Sequence, residues 1–422
     1  MQPGDETKVC TSISKKLDGL TTEKSKNFIF KLHSHLRNVN DKAYEPHILA
    51  IGPYHRDKNS VKMMEEHKFR YLKSLLECKE HNISVYVSAI GEMEQEARKC
   101  YAEPISLTAP EFTEMLVLDG CFIIELVRKY NMVHELTKKN DPIFGRAWMR
   151  ASIRRDLMLF ENQIPFFILC KLFDLIEVPN NHSRLMYLAL KFMRKIFPGK
   201  GCRSNIEKSS NEIKHLLELI HISWRPLLTM LDIDDNTKDG QRTWRFINSA
   251  TELRNANVKL KRSERGSLFD IRFENGYLLL PPLYIGDRTE SFFRNLIAYE
   301  QYFGDAFNYV TDYVKFLDCL INSPADVEIL CRHGIMDNWL GDGKVVSNMF
   351  IKLGDFVSCN GQNFIYSKIF ECVNAYFERR RNRWMANLKQ HHLNSPWAIM
   401  SILAAIILLL LTATQTVFSG LK

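Results

Sequence analysis

The sequence predicts a mainly α-helical (α+β) protein: a multi-helix globular body, a small β-hairpin or sheet near residues 256–280, and one C-terminal transmembrane helix. Three observations carry this. Apolar residues recur at helical spacing through most of 28–390. Only 256–280 has short β-rich runs punctuated by turn residues. Residues 396–418, PWAIMSILAAIILLLLTATQTVF, carry no charge. At about 1.5 Å per residue they reach roughly 35 Å, enough for a ~30 Å hydrocarbon core.

Taken in order, residues 1–27 are polar with little periodicity and are expected to be disordered. The stretch MEEHKFRYLKSLLE places Met64, Tyr71, Leu72, Leu75 and Leu76 at helical spacing, and 92–101 is a more polar candidate helix. Thr108 followed by Glu111 reads as a capping box. It opens a helix with an apolar stripe of Phe112, Met115, Leu116, Phe122, Ile123 and Leu126. Asp119 falls on that stripe, so it needs a buried partner from elsewhere. A second apolar stretch, WMRASIRRDLMLFENQIPFFILCKLFDLI, must break at Pro165, which lacks a backbone donor. Residues 179–240 change character and read as a variable insert with one helix over 211–221.

Strands are predicted at 256–260, 267–273 and 277–280, with Asn275-Gly276 as a tight turn and Pro281-Pro282 ending the last. Helices then return. Asp287 and Glu290 can form a capping box, and Ser323-Pro324-Ala325-Asp326 combines an N-cap, a proline at the first helical position and a first-turn acid. Gly334 is placed to end that helix. A last body helix, 366–388, runs toward the apolar segment.

Composition excludes little. The 422 residues are 45% hydrophobic and 25% charged, and the net charge of +8 is too modest to mark a nucleic-acid binder. The ten cysteines form no CxxC pair and match no zinc spacing; they read as free, partly buried thiols. The N-terminus has no apolar signal region. Arg379, Arg380, Arg381, Arg383 and Lys389 precede the apolar segment and only Lys422 follows it, so the positive-inside rule places the body in the cytosol, on the plasma membrane or an endomembrane. These basic residues also suit contact with anionic lipid. The anchor itself would be Trp397, Ile399, Ile402, Leu403, Ile406, Ile407, Leu408, Leu409, Leu410, Leu411, Val417 and Phe418, with 419–422 a short tail. Ser401, Ala405, Leu408, Thr412, Gln415 and Ser419 share one side of it and suit homo-association through the membrane helix. The sequons at Asn82 and Asn181 can carry glycans only if the body faces outward.

Marks of standard chemistry are missing. No GxxxxGK[ST], GxGxxG or GxSxG occurs, so no catalytic, metal or cofactor-binding residue is assigned and no cofactor is expected. His134-Glu135 lacks a second zincin histidine, and His215 and His221 are six apart. Asp232, Asp234 and Asp235 lack the turn glycine of a calcium loop, where Thr237 stands. Lys259, Lys261, Arg262 and Arg265 read as a charged strand edge rather than a nucleic-acid surface. Asp119, Asp156, Glu161, Asn162 and Gln163 form a candidate buried polar network, paired with Arg154 or Arg155. If Asp119 and Glu161 converged they could act as an acid/base pair.

The blocks YEPHILAIGPYHR, EEHKFRYL, EFTEMLVLDGCFIIEL, RRDLMLFENQIPFF, SATELRNANVKLK and LFDIRFENGYLLLPPLYIGDRTESFFRNLIAYEQ, with the C-terminal PWAIMSILAAIILLLLTATQTVF, resemble the plant DUF247 family, also called UPF0481. Phe160 stands where leucine is usual and Tyr299 where phenylalanine is usual. The resemblance implies a land-plant protein with one C-terminal membrane helix, and some grass relatives act in pollen self-recognition. It supplies no catalytic residues. The expectation is a membrane-anchored interaction or recognition protein without catalysis, with an unknown protein partner. The alternatives are a tethered enzyme with an unrecognised helical site and an outward-facing receptor component.

Overall fold

Helices build the molecule, as the periodicity predicts. The computed structural model describes residues 3–18, 27–132, 141–200, 206, 208–225, 245–264, 266–304, 308–359, 363–379 and 396–420; in the first and last of these stretches the side chains described are those of 5, 9–15, 17, 400, 401 and 403–416. The polar N-terminal stretch, expected to be disordered, contains α1 (Pro3–Asp18). The body opens with α2 (Ser34–Arg37). α3 (Lys62–Lys79) buries Met64, Lys68, Tyr71 and Leu75, the expected stripe with a cation inside it. α4 (Ile83–Gly91) is an element that the sequence reading passed over; the Asn82 side chain accepts from Ser84 N and starts it. α5 (Glu94–Arg98) is all that forms of the candidate helix at 92–101. Tyr101 instead makes a parallel bridge with Ile29.

α6 (Ala109–Met132) is the central helix. Half of the expected capping box forms: Glu111 accepts from Thr108 N at 2.8 Å, but the Thr108 hydroxyl donates to the same carboxylate instead of accepting. From Met115 onward the one-sided stripe gives way to burial all round, with every residue from Met115 to Arg128 buried. The reason is packing on several sides. α3 and α4 lie against it, as do α8 (Phe166–Ile176) and α9 (His182–Met193). α7 (Ala147–Asp156) precedes the break at Pro165, which becomes the N-cap of α8. The helix expected over 211–221 begins later, as α10 (Leu216–Trp224), capped by the His215 ring.

α11 (Ala250–Asn255) has a complete capping box from Ser249 and Glu252. β1 (Lys259–Arg262), β2 (Arg272–Glu274) and β3 (Tyr277–Leu280) form a sheet of order β1-β3-β2. β2 and β3 are the expected hairpin, turning at Asn275 and Gly276 with φ of 50° and 81°. β1 pairs parallel to β3, with Lys259 opposite Tyr277. It is an edge strand whose Lys259, Lys261 and Arg262 are exposed, as the charged-edge reading requires; Arg265 lies outside the described residues. β4 (Leu283–Ile285) pairs parallel with the distant β5 (Met336–Asn338).

α12 (Thr289–Phe303) lacks the expected Asp287–Glu290 box: Arg288 is its N-cap, and Glu290 binds Arg294 and Asn40 at 2.8 Å each. α13 (Tyr309–Leu320) follows. α14 (Pro324–Arg332) has the predicted Ser323 cap and proline start, and Gly334 follows it with φ 65°. α15 (Gly343–Leu353) and α16 (Ser367–Phe377) complete the body. One apolar cluster runs from Ile29 to Val373, so both halves share a core. Trp224 anchors it against Phe269, Phe292 and Phe197.

The expected transmembrane helix is corrected. Among the described residues no helix is long and apolar enough to cross a membrane. The C-terminal segment does form a helix, α17 (Pro396–Gly420). Leu403, Ile406, Ile407 and Leu408–Leu411 are exposed on it, while the side chains of Trp397, Ile399, Ile402, Val417 and Phe418 lie outside the described residues. The Thr412 hydroxyl donates to Leu408 O within its own helix at 2.7 Å. Of the basic flank, Arg379 is exposed and lies over the Tyr376 ring; Arg380, Arg381, Arg383 and Lys389 fall outside the described residues. The described cysteines are free thiols, with Cys100, Cys121 and Cys170 buried.

Candidate functional site

The five polar residues of the predicted network are all buried and each fastens backbone, three of them on one segment. Residues 47–52 cross the interior without regular secondary structure, so their backbone donors need side-chain acceptors. Asp156, at the end of α7, accepts from His47 N, Ile48 N and Leu49 N at 2.9–3.0 Å. Asn162 accepts from Ile51 N at 2.7 Å and donates to Leu49 O and Asp156 O. Asp119 accepts from Gly52 N at 2.8 Å and from Lys68 Nζ at 2.6 Å. Gln163 donates to Leu157 O and Leu159 O and accepts from Leu217 N.

Glu161 serves a second segment. It accepts from Leu32 N at 2.6 Å and from the Arg37 guanidinium, and His55 Nε2 lies 3.1 Å away, in ion-pair reach but off the hydrogen-bond axis. Burial works to raise its pKa, but His55, Arg37 and the Leu32 N–H outweigh burial and hold it down at about 2. Asp119 and Glu161 therefore each have their own cation and their own backbone donor. Lys68 is the partner that Asp119 required. Its Nζ also donates to Ala50 O and sits 2.6 Å from Glu65. Burial opposes the charge on Lys68, yet the two carboxylates raise its pKa above the ordinary lysine value. Arg155 pairs with Asp156, as expected, at 3.0 Å. Arg154 does not: it donates to Phe192 O and stacks on the Phe192 ring.

Histidines are absorbed in the same way. His215 Nδ1 accepts from Glu218 N, and burial lowers the ring's pKa to about 4, consistent with a neutral acceptor. His221 Nε2 meets Glu300 at 2.9 Å. One arrangement was not foreseen. His182 Nε2 lies 3.0 Å from both Asp174 oxygens, and its Nδ1 lies 2.9 Å from Ser210 Oγ. The ring is inverted relative to a serine-hydrolase triad, in which Nε2 meets the serine. Asp174 also accepts from Asn180 N at 2.8 Å, closing the α8–α9 turn. Among the described residues no three His, Cys, Asp or Glu gather to hold a metal. His134, Glu135, Asp232, Asp234, Asp235 and Thr237 lie outside the described residues.

The surface offers one feature of a different kind. A groove of about 770 Å³ opens between α3, α4, α5 and the start of α6. Phe69, Ile83 and Val87 form its walls while remaining 52%, 39% and 45% exposed. Val117 and Leu118 of α6 form its floor. Glu92 and Glu114 are exposed on its rim, Glu94 is bound to Arg98 at 2.7 Å, and no lining residue is basic. The local cause is α4. Ile83, Tyr86, Val87 and Ile90 form one i, i+3, i+4, i+7 stripe, of which Tyr86 and Ile90 are buried while the Ile83–Val87 side stays exposed. That stripe in ISVYVSAIG is the signal by which the sequence could have disclosed the helix that walls the groove.

The profile of the plant family DUF247, described as a plant protein of unknown function, matches residues 29–411. The chain is 32% identical over 412 residues to UPF0481 protein At3g47200 of Arabidopsis thaliana, covering 92% of this chain and 85% of the relative. It is 22% identical over 505 residues to Putative UPF0481 protein At3g02645 of the same plant, covering 97% and 94%. No solved structure matches the chain significantly.

Proposed function

We propose that this chain, which belongs to the plant DUF247 family, is a recognition protein that works without catalysis and holds an amphipathic, basic helix of a partner protein in the groove between α3, α4, α5 and α6. The observation that supports this reading is the groove's make-up: large apolar side chains left exposed in a concave site with an acidic rim. Apolar residues exposed together in a cleft mark binding surfaces. Helix-in-groove docking needs an apolar floor of a few turns, and the nine residues of α4 give a wall of about 13 Å. The rim carboxylates favour lysine and arginine at the partner's flanks.

A photo-reactive benzoylphenylalanine at Val87 of the intact protein, in plant cells, tests the reading. Cross-links to a helical, basic segment of a discrete protein are expected, and Phe69→Asp should remove them. Cross-links identical to those from the same group at Lys195, which is exposed and does not line the groove, overturn it.

The enzyme alternative has one arrangement in its favour, Ser210–His182–Asp174. A fluorophosphonate probe that labels Ser210 in the folded protein, with loss in His182→Ala, would establish a hydrolase instead.

A further inference from the structure

We infer that α1 of this same chain is a built-in occupant of the groove, docking in cis and competing with the partner. The inference rests on the groove being a helix-binding surface, as proposed above. Four observations converge on it. First, α1 has an unsatisfied apolar stripe: Val9, Ile13 and Leu17 stand at i, i+4, i+8 and are 48%, 51% and 59% exposed. Such a stripe on one helix face calls for a covering surface. Second, the groove presents the matching apolar face, through Phe69, Ile83 and Val87.

Third, the charges complement each other. Lys15 and Lys16 stand beside Leu17 in the last turn of α1, with Asp18 after them, and Asp5 and Glu6 sit in the first turn, where the helix dipole favours them. The groove offers Glu92 and Glu114 and no basic lining residue.

Fourth, the tether ends beside the groove. Phe28 N and Ile29 N both donate to Cys100 O at 2.9 Å, just past the end of α5. α5 itself contributes Glu94 and Gln95 to the groove, on the order of 10 Å away along the chain. The eight residues 19–26 can span up to roughly 28 Å, more than that separation requires. A tether this short sets an effective concentration in the mM range, so even a weak face is substantially occupied. A partner helix must then displace α1.

The test uses the full chain with Cys202 and the exposed Cys78 and Cys372 replaced by serine, leaving Cys10 as the exposed thiol among the described residues. A short bismaleimide is added to Val87→Cys and, as control, to Lys195→Cys. Intramolecular linkage of Cys10 to position 87 is expected at least tenfold faster than to position 195. Ile13→Asp with Leu17→Asp should bring the two rates within twofold. Both residues are exposed, so the fold survives the change. The same double variant should raise the photo-cross-linking of the partner from position 87 severalfold. Equal linkage rates, or a ratio unmoved by the double variant, overturn the inference. Partner cross-links without α1 linkage would leave the groove reading standing and remove this one. Linkage of α1 without any partner would do the reverse.

Discussion

Asp156 shows how a single residue can hold a long segment. It satisfies three consecutive backbone donors of 47–49, and each buried donor left without a partner costs about 1–3 kcal/mol. Asp156→Ala should therefore destabilise the fold by about 3 kcal/mol or more in urea titrations, and Asp156→Asn by less because one oxygen remains. Gly52 is constrained for a different reason. Its φ is +75°, and an added Cβ would lie 2.5 Å from Gln163 O. Gly52→Ala should cost at least about 2 kcal/mol, read in the same assay.

Two carboxyl groups give opposite pH dependences. Glu161 is held at about 2, below its ordinary value of 4.5, so its contribution is present above pH 4.5 and is lost as pH falls toward 2. The shift corresponds to about 3 kcal/mol. Glu161→Gln should lose that much at pH 6 and very little at pH 2. Asp312 is the reverse: burial lifts it to about 8 from 3.8, against the pull of the Ile365 N–H. A raised folded pKa favours the folded state below pH 4, and that advantage fades as pH climbs to 8. Asp312→Asn should leave stability at pH 4 nearly unchanged and raise it above pH 8, by at least about 2 kcal/mol. Chemical denaturation across pH 2–9 reads both.

Among the elements, local signals were legible where they were self-contained. Ser323, Pro324, Asp326 and Gly334 start and end α14 as read from the sequence, because capping is decided within one turn. Ser323→Ala should cost about 1 kcal/mol, measured as a shift of the denaturation midpoint. The Asn275-Gly276 hairpin was legible for the same reason. The parallel pairing of β1 with β3 and of β4 with β5 was not, since β4 and β5 are joined only after α12, α13 and α14 intervene. α4 has the one-sided stripe Ile83, Tyr86, Val87 and Ile90, but the exposed Val85 on its other side blurs the period over so short a helix.

For the whole molecule, residue types and order alone determined family membership, helical character, the hairpin and the need of Asp119 for a buried partner. These follow from short-range pattern and elementary solvation. The sequence also read 396–418 as a membrane span, a reading the described structure does not uphold. Only the tertiary structure decided that Asp119's partner is Lys68, that Asp156, Asn162 and Asp119 fasten 47–52 while Glu161 holds Leu32 and Arg37, and that four helices leave an acidic-rimmed apolar groove. The physical reason is range. Caps and periodicities act over a few residues, whereas Asp156 and Asn162 hold backbone more than one hundred residues away and the groove exists only where separate helices meet.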